Sequence, residues 1–300
     1  MLKVSLLSGS NVWKMKKLSP PIAEQTMNIS CPKISVVTVV KNREKVIEKT
    51  LLSVIEQDYP NLEYVVVDGD SQDDTSLIIQ KYTSQIDKYI KEPDRGIYDA
   101  MNKGAKVASG EWIIYINAGD YFYRNDSLSK LADSLHSDAD VILVGVQEMV
   151  LDDLETRYFH KMPKPVEEIW RFMPTSHQAT LVRLSCQQEY GFDTNYVWCA
   201  DHDLLARMYR DGKKFLSQDI LFCVFDCSSG SSRDIRLYIS ERWKLTKNLA
   251  PFYRRIIQYG SEWIHGIVWG KIVRVVKLCL PTSTILKLRK LRGNAGSLSQ

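Results

Sequence analysis

Residues 34–75 read ISVVTVVKNREKVIEKTLLSVIEQDYPNLEYVVVDGDSQDDT, and this stretch decides the fold. Ile34–Val40 is a β-branched run with little alternation, the texture of a strand buried on both faces of a parallel sheet. Glu44–Glu56 carries apolar residues at Val46, Ile47, Leu51, Val54 and Ile55. That is the spacing of an amphipathic helix, and Tyr59-Pro60 lies just beyond its end. Leu62–Val67 is a second buried run, and Asp73–Tyr82 a second helical pattern. Two βα units follow one another directly.

The same texture continues outward. Lys88–Lys91 reads as a third strand, Ile97–Ala108 as a third helix closed by Gly110, and Trp112–Ile116 as a fourth strand running into Asn117-Ala-Gly-Asp120. Repeated βα units imply an α/β fold with a Rossmann-like, mostly parallel sheet flanked by helices. After Val141–Val146 the order becomes less regular, as in a sheet that gains antiparallel strands and long loops. Ala179–Arg183 is strand-like, and Ala200 opens a helix to Arg210. Three regions result. Residues 1–32, with Lys14, Lys16, Lys17 and Pro20-Pro21, read as a poorly ordered lead-in. Residues 33–230 form the main domain. Residues 231–300 form a basic helical tail, entered through a mobile connector at Ser228–Gly230.

Composition narrows the class. A 44% hydrophobic fraction in 300 residues excludes a mainly disordered chain. Cys31, Cys186, Cys199, Cys223, Cys227 and Cys279 stand singly with no CxxC pair, which excludes a disulfide scaffold and fits reduced thiols in the cytoplasm. The net charge of +4 hides an uneven distribution: Arg233 to Gln300 holds 14 Lys or Arg against three acids, a balance of +11, leaving −7 for residues 1–232. The apolar run Val4–Leu7 is too weak for a secretory signal. Trp263–Leu280 is interrupted by His265, Lys271, Arg274 and Lys277, so it does not read as a membrane span.

Ligands of open α/β sheets bind beyond the carboxyl ends of the strands. The polar residues there are Thr38 to Asn42, Asp68 to Ser71, Glu92 to Gly96 and Asn117 to Asp120, four strand ends on one rim. Asp68 can accept a hydrogen bond from a base or ribose, or simply cap the next helix. Asp94 and Gly96 open a helix bearing Asp99 and Asn102, an arrangement suited to a diphosphate or to an ordinary capped loop. Asp120 can hold a hard divalent cation against a diphosphate, or sit in a surface turn. Asp201 can serve as a general base, with Asp203 orienting its loop or capping its helix. His177 and Gln178 border a constrained loop, as acceptor-side or structural residues.

Taken together, residues 34–75, the run EPDRGIYDAMNKGAKVASGEWIIYINAGD at 92–120 and GFDTNYVWCADHDLLARM at 191–208 resemble inverting nucleotide-sugar glycosyltransferases of family 2, of GT-A fold. The resemblance is strongest to the bacterial branch that builds exopolysaccharide and O-antigen units, and it covers roughly residues 33–230. It implies that Thr38 and Asn42 lie next to the nucleotide and that Asp68 binds the base. It further implies that Asp94, Gly96, Asp99 and Asn102 flank the ribose and diphosphate. Asn117 to Asp120 falls at the metal-binding Asp-x-Asp motif, so a Mg or Mn ion is expected on Asp120, with Asn117 at the donor. Asp201 falls at the general base. Two departures stand out: Asn117 and Gly119 replace aspartates of many relatives, and Ala200 replaces the usual Glu before the base.

The competing readings are weaker in residues. A phosphatase of the haloacid-dehalogenase type would continue Asp68-Gly-Asp70 with Gly-Thr or similar, whereas this chain has Ser71-Gln72. An NAD-linked oxidoreductase lacks its GxGxxG after the first strand. A non-catalytic nucleotide-binding protein remains a third class. The tail interleaves Lys271, Arg274 and Lys277 with Trp263, Trp269 and aliphatic residues, as an interfacial helix on anionic lipid does; a basic helix packed on the main domain is the alternative. No recognition motif points to nucleic acid. The expected partners are a nucleotide-diphosphate sugar, a lipid-linked saccharide acceptor and an anionic membrane surface met through 233–292. The expected location is the cytoplasmic face of the inner membrane.

Overall fold

The computed structural model describes residues 31–151, 156–226 and 235–262. The lead-in through residue 30, the Ser228–Gly230 connector and Trp263–Leu280 lie outside the described residues. The chain runs β1 (Ile34–Val40), α1 (Ile47–Ile55), β2 (Leu62–Asp68), α2 (Thr75–Gln80), β3 (Lys88–Lys91), α3 (Ile97–Val107), β4 (Trp112–Tyr115), β5 (Tyr121–Phe122) and α4 (Ala132–Leu135). It continues with β6 (Val141–Leu151), β7 (Thr156–Lys161), β8 (Thr180–Arg183), α5 (Leu184–Tyr190), α6 (Ala200–Arg210), β9 (Phe215–Asp226) and α7 (Ile235–Leu245).

Every residue of β1 is buried, because each face of the strand meets its own core. Ile34, Val36 and Val40 pack with Tyr64, Val66 and Ile114 beside α1. Val37 and Val39 pack with Val65, Val67 and Ile113 on the side of α3 and α6. That is why the run is uniformly β-branched and not alternating. Helix α3 lies so close to β1 that a Cβ on Gly104 would sit 2.4 Å from Val37 Cγ1.

The strand order is β3-β2-β1-β4-β8-β6-β9-β5, with β7 beside β6. Strands β1 to β4 pair in parallel. Beyond them β8 is antiparallel to β4 and β6, β5 to β9, and β7 to β6, while β6 and β9 run parallel. The mostly parallel arrangement thus describes the first half, and the change of texture after Val141 marks where the sheet becomes mixed.

Two helices start later than periodicity indicates. Residues before α1 are held as a loop: Asn42 adopts φ 52°, the Arg43 N–H donates to Thr75 Oγ1, and the Glu44 N–H donates to Asp73 Oδ2. In return the Asp74 N–H donates to Glu44 Oε2 and the Gln72 N–H to Asn42 Oδ1. The loops after β1 and β2 are stitched to one another instead of extending their helices.

A charged residue sits within β2. Glu63 is 3% exposed and accepts hydrogen bonds from Ser35 Oγ (2.5 Å), Ser109 N–H (2.7 Å), Ser109 Oγ (2.6 Å) and Lys88 Nζ (2.8 Å). Burial pushes its pKa up, but these donors outweigh it and bring the carboxyl from 4.5 to about 2. A lowered carboxyl contributes stability above its unfolded pKa and loses it as pH falls towards the folded value. The contribution is about 3 kcal/mol. In urea unfolding, Glu63→Gln should therefore be less stable than wild type by about that amount at pH 6–7, with the gap closing towards pH 2–3. A gap independent of pH would mean that shape, and not charge, fixes this position.

The basic tail packs on the main domain where it is described. Helix α7 packs on α6, and residues 252–262 are helical. Arg242 is 4% exposed and pairs with Glu262 at 2.6 Å, while Tyr259 Oη donates to Trp170 O at 2.6 Å. No helix among the described residues is long and apolar enough to cross a membrane.

Candidate functional site

The rim formed by the ends of β1, β2 and β4 carries most of the residues singled out from sequence, but their side chains divide into two groups. Several are consumed by the fold. Thr38 is fully buried, with Oγ1 on Ile116 O (2.8 Å) and Tyr64 Oη (3.0 Å), so it ties β1 to the end of β4 below the rim. Asp68 is fully buried too, accepting from Ser71 N–H (2.8 Å), Ser76 Oγ (2.6 Å) and Tyr89 Oη (3.2 Å). Of its two sequence readings, the turn anchor is the one this geometry displays. Asn102 exchanges two hydrogen bonds with the Phe192 backbone, at 2.8 and 2.9 Å, and so pins α3 to the loop before α6. Asp203 accepts from Arg207 Nε at 2.7 Å, and Arg207 reaches on to the Tyr190 and Gly191 carbonyls. Asp203 is therefore a brace within the fold.

Others remain at the rim. Asn42 is exposed between the stitched loops. Asp94 accepts the Gly96 N–H at 2.9 Å, and a Cβ on Gly69 would lie 1.8 Å from Asp94 Oδ2, so glycine is what lets this carboxylate close over the end of β2. Gly96, at φ 129°, turns the chain into α3. Asp99 is taken by Arg95, through the Arg95 N–H (3.1 Å) and Nη2 (3.0 Å).

The centre of the site lies where the loop after β4 meets the turn before β8 and the start of α6. Asn117 Nδ2 lies 2.8 Å from His177 Nε2, and His177 Nδ1 lies 3.5 Å from Asp201 Oδ2. Gln178 Nε2 donates to Asp120 Oδ2 at 2.8 Å, and the Asp226 N–H donates to Asp120 Oδ1 at 3.1 Å. The residues read as donor-side and acceptor-side are thus bonded to each other. A small, mainly apolar cavity borders this cluster, lined among others by Tyr115, Met173, His177, Phe192, Asp201 and Leu204.

The two carboxylates differ in charge preference. Burial pushes Asp120 up to about 6. Asp201 is also driven up by burial, but the donors His177 and the His202 N–H outweigh this and hold it below the usual carboxylate value. Its place in the first turn of α6 acts in the same direction, since a helix N-terminus favours negative charge. His202, next along the helix, is driven down to about 4 by burial and donates Nε2–H to Ile169 O at 2.6 Å, so it stays neutral. A carboxylate kept ionised in a partly buried rim is fit to accept a proton.

Sequence reasoning missed what holds Asp201 in place. Helix α6 has no side-chain cap of its own. Glu241 of α7 supplies one, its carboxylate accepting the N–H groups of Val197 (2.7 Å), Trp198 (3.0 Å) and Cys199 (3.1 Å). One signal was present: Glu241 is among only three acids from 233 to 300. Tyr98 of α3, which bonds Trp198 O at 3.0 Å and lies 3.4 Å from Asp201 Oδ1, had no signal beyond its place on an amphipathic helix.

The metal expected on Asp120 can be tested against its surroundings. Among the described residues no group of three or more His, Cys, Asp or Glu converges to hold an ion. Each Asp120 oxygen accepts one hydrogen bond and retains further acceptor capacity, and its burial gives a cation a charge to neutralise. This donor set fits a hard cation that takes most of its ligands from a diphosphate and water, as Mg commonly does.

Comparison with known proteins agrees with the fold. The family model described as Glycosyl transferase family 2 matches residues 35–235. An uncharacterized glycosyltransferase of Mycobacterium tuberculosis is 32% identical over 253 residues, covering 81% of this chain and 92% of the relative. A PGL/p-HBAD biosynthesis glycosyltransferase of Mycobacterium bovis is 31% identical over 107 residues, 35% of this chain, and the match spans only 42% of that relative. Among solved structures, Staphylococcus aureus TarS 1–349 in complex with UDP-GlcNAc superposes with a TM-score of 0.59 at 18% identity, covering 84% of this chain and 77% of that one. The mannosyltransferase PcManGT of Pyrobaculum calidifontis, in complex with GDP-Man and Mn2+, gives 0.55 at 17% identity, covering 90% and 81%. The chain belongs to glycosyl transferase family 2 and has the GT-A fold.

Proposed function

We propose that this glycosyltransferase moves a sugar from a nucleotide-diphosphate donor to a hydroxyl of a lipid-linked saccharide in surface polysaccharide synthesis, by one inverting displacement. The observation that carries the reading is the 3.5 Å approach of His177 Nδ1 to Asp201 Oδ2, which joins Asp201 through the 2.8 Å Asn117–His177 hydrogen bond to the loop after β4. Asp201 takes the acceptor hydroxyl proton as the oxygen attacks the anomeric carbon. The bond from that carbon to the diphosphate oxygen breaks on the opposite face, and the nucleoside diphosphate leaves with the electron pair. Asp120 would hold a Mg or Mn ion, whose chemistry is to neutralise charge on the leaving diphosphate. Asn42, Asp94 and Gly96 line the rim on the donor side. A phosphatase reading fares worse, because its nucleophile would be Asp68, which is buried and engaged by three donors.

The donor is tested by a panel of nucleotide sugars, beginning with UDP-GlcNAc and GDP-mannose, assayed for release of the nucleoside diphosphate with Mn2+, with Mg2+ and with chelator. Turnover of phosphate monoesters but of no nucleotide sugar would overturn the reading.

The acceptor is read as lipid-linked from the outer face of the C-terminal segment. Its acids Glu241 and Glu262 are turned inward onto backbone and Arg242, while Lys247, Arg254, Phe252, Tyr253, Ile256 and Ile257 are exposed. Basic groups beside protruding apolar side chains suit an anionic bilayer, here the cytoplasmic face of the inner membrane. The full chain should co-sediment with phosphatidylglycerol vesicles and not with phosphatidylcholine ones, and Phe252→Ser with Ile257→Ser should reduce the bound fraction several-fold. Equal sedimentation with both lipids would remove the anionic surface from the reading.

A further inference from the structure

Asp201 needs a reason to stay charged where it is. Its side chain is 15% exposed, and its Oδ1 receives the His202 N–H at 2.8 Å. Tyr98 Oη stands 3.4 Å from the same oxygen, but its single proton has a better acceptor in Trp198 O at 3.0 Å. The second oxygen, Oδ2, faces one polar side chain among the described residues, His177 Nδ1 at 3.5 Å.

What His177 presents to Asp201 is set from its other side. Asn117 Nδ2 is a donor and cannot accept, so at 2.8 Å it makes His177 Nε2 the acceptor. A neutral imidazole that accepts at Nε2 carries its proton on Nδ1, and Nδ1 is the nitrogen facing Asp201. Asn117 Oδ1, buried beside the donor rim, is left without a partner. A buried amide oxygen without a partner is costly unless something arrives to fill it, and a hydroxyl of the donor is the chemistry that would.

We propose that His177 is the positioning residue for Asp201, presenting Nδ1–H to it, and that Asn117 selects this tautomer and so links the donor loop to the base. The proposal rests on Asp201 being the general base. The chain of bonds runs from the loop after β4, through one imidazole, to the first turn of α6. The other titratable groups around it do not duplicate the role. Tyr98 from α3 and Cys199 before α6 are pushed up by burial and stay neutral. His202 is neutral, and Arg242 from α7 couples to His202 and Cys199. Asp120 acts on His177 only through space.

The tautomer can be read without substrate from the ring-nitrogen resonances of the full-length protein labelled with 15N-histidine, where His177 is assigned by loss of its signals in His177→Asn. The expected result is an Nδ1–H ring in wild type, moving to a mixture with Nε2–H in Asn117→Ala. In UDP-GlcNAc or GDP-mannose hydrolysis, His177→Leu should lower kcat by about 100-fold with donor KM within about twofold, and the acid limb of the kcat profile should rise by roughly one pH unit. His177→Asn, whose amide N–H can stand in for Nδ1–H, should recover about tenfold of that loss and return the limb. An Nε2–H ring in wild type, or a His177→Leu profile superimposing on the wild-type limb, overturns the proposal. Full turnover by Asp201→Asn alongside an Nδ1–H ring would instead overturn the base assignment and leave the hydrogen-bond chain standing.

Discussion

Asp201→Asn should lower turnover by about 10²- to 10⁴-fold, the usual contribution of a general base. The substitution keeps the shape of the side chain and keeps an oxygen able to accept the His202 N–H. It removes the proton acceptor and the Oδ2 contact with His177 but no group on the donor rim, so nucleoside diphosphate affinity, measured by calorimetry, should stay within about threefold. Stability at neutral pH should fall somewhat, because the fold favours the charged carboxylate and an amide NH2 would face His177 Nδ1. The combination matters. A drop in turnover accompanied by lost nucleotide binding would place Asp201 on the donor, and comparable turnover would remove it from the chemistry.

The second large effect lies outside the motifs. Glu241→Ala leaves the N–H groups of Val197, Trp198 and Cys199 without their acceptor, in a place where Glu241 itself is 6% exposed. Each unsatisfied buried donor costs about 1–3 kcal/mol, offset in part because the carboxylate no longer has to be buried. The expected loss is about 3 kcal/mol in urea unfolding. Glu241→Gln keeps one acceptor oxygen and should lose about half as much. Because these three residues lead directly into Asp201, kcat should fall in Glu241→Ala even at temperatures where the protein remains folded, with donor KM little changed. A variant of wild-type stability would show that the backbone before α6 finds water or another acceptor.

The contrast between Asp201 and Glu241 shows how far a sequence can be read. Strands β1 to β4 are legible because burial on both faces leaves long β-branched runs and because each is followed by a helix of clear period. Strand β9 is not, since Ser217, Gln218 and Asp219 interrupt it and its order comes from pairing with β6 and β5. Strand β7, almost wholly exposed, gives no hydrophobic signal at all. At the site, position along the chain located the rim but not the direction of a side chain. Thr38, Asp68, Asn102 and Asp203 stand at the expected places and spend their polar atoms on the fold. Asn117, His177, Gln178, Asp120 and Asp201 meet because a turn before β8 is carried across to the end of β4, a contact that no local pattern encodes.

The stitching of the loops after β1 and β2 constrains redesign of the chain. Asn42 and Glu44 accept from Gln72 and Asp74, while Thr75 and Asp73 accept from Arg43 and Glu44. Neither loop can change in length or identity alone without stranding the other's backbone, so a change in one calls for a matching change in the other. A redesign of substrate choice would then leave that floor intact and alter the segments around it.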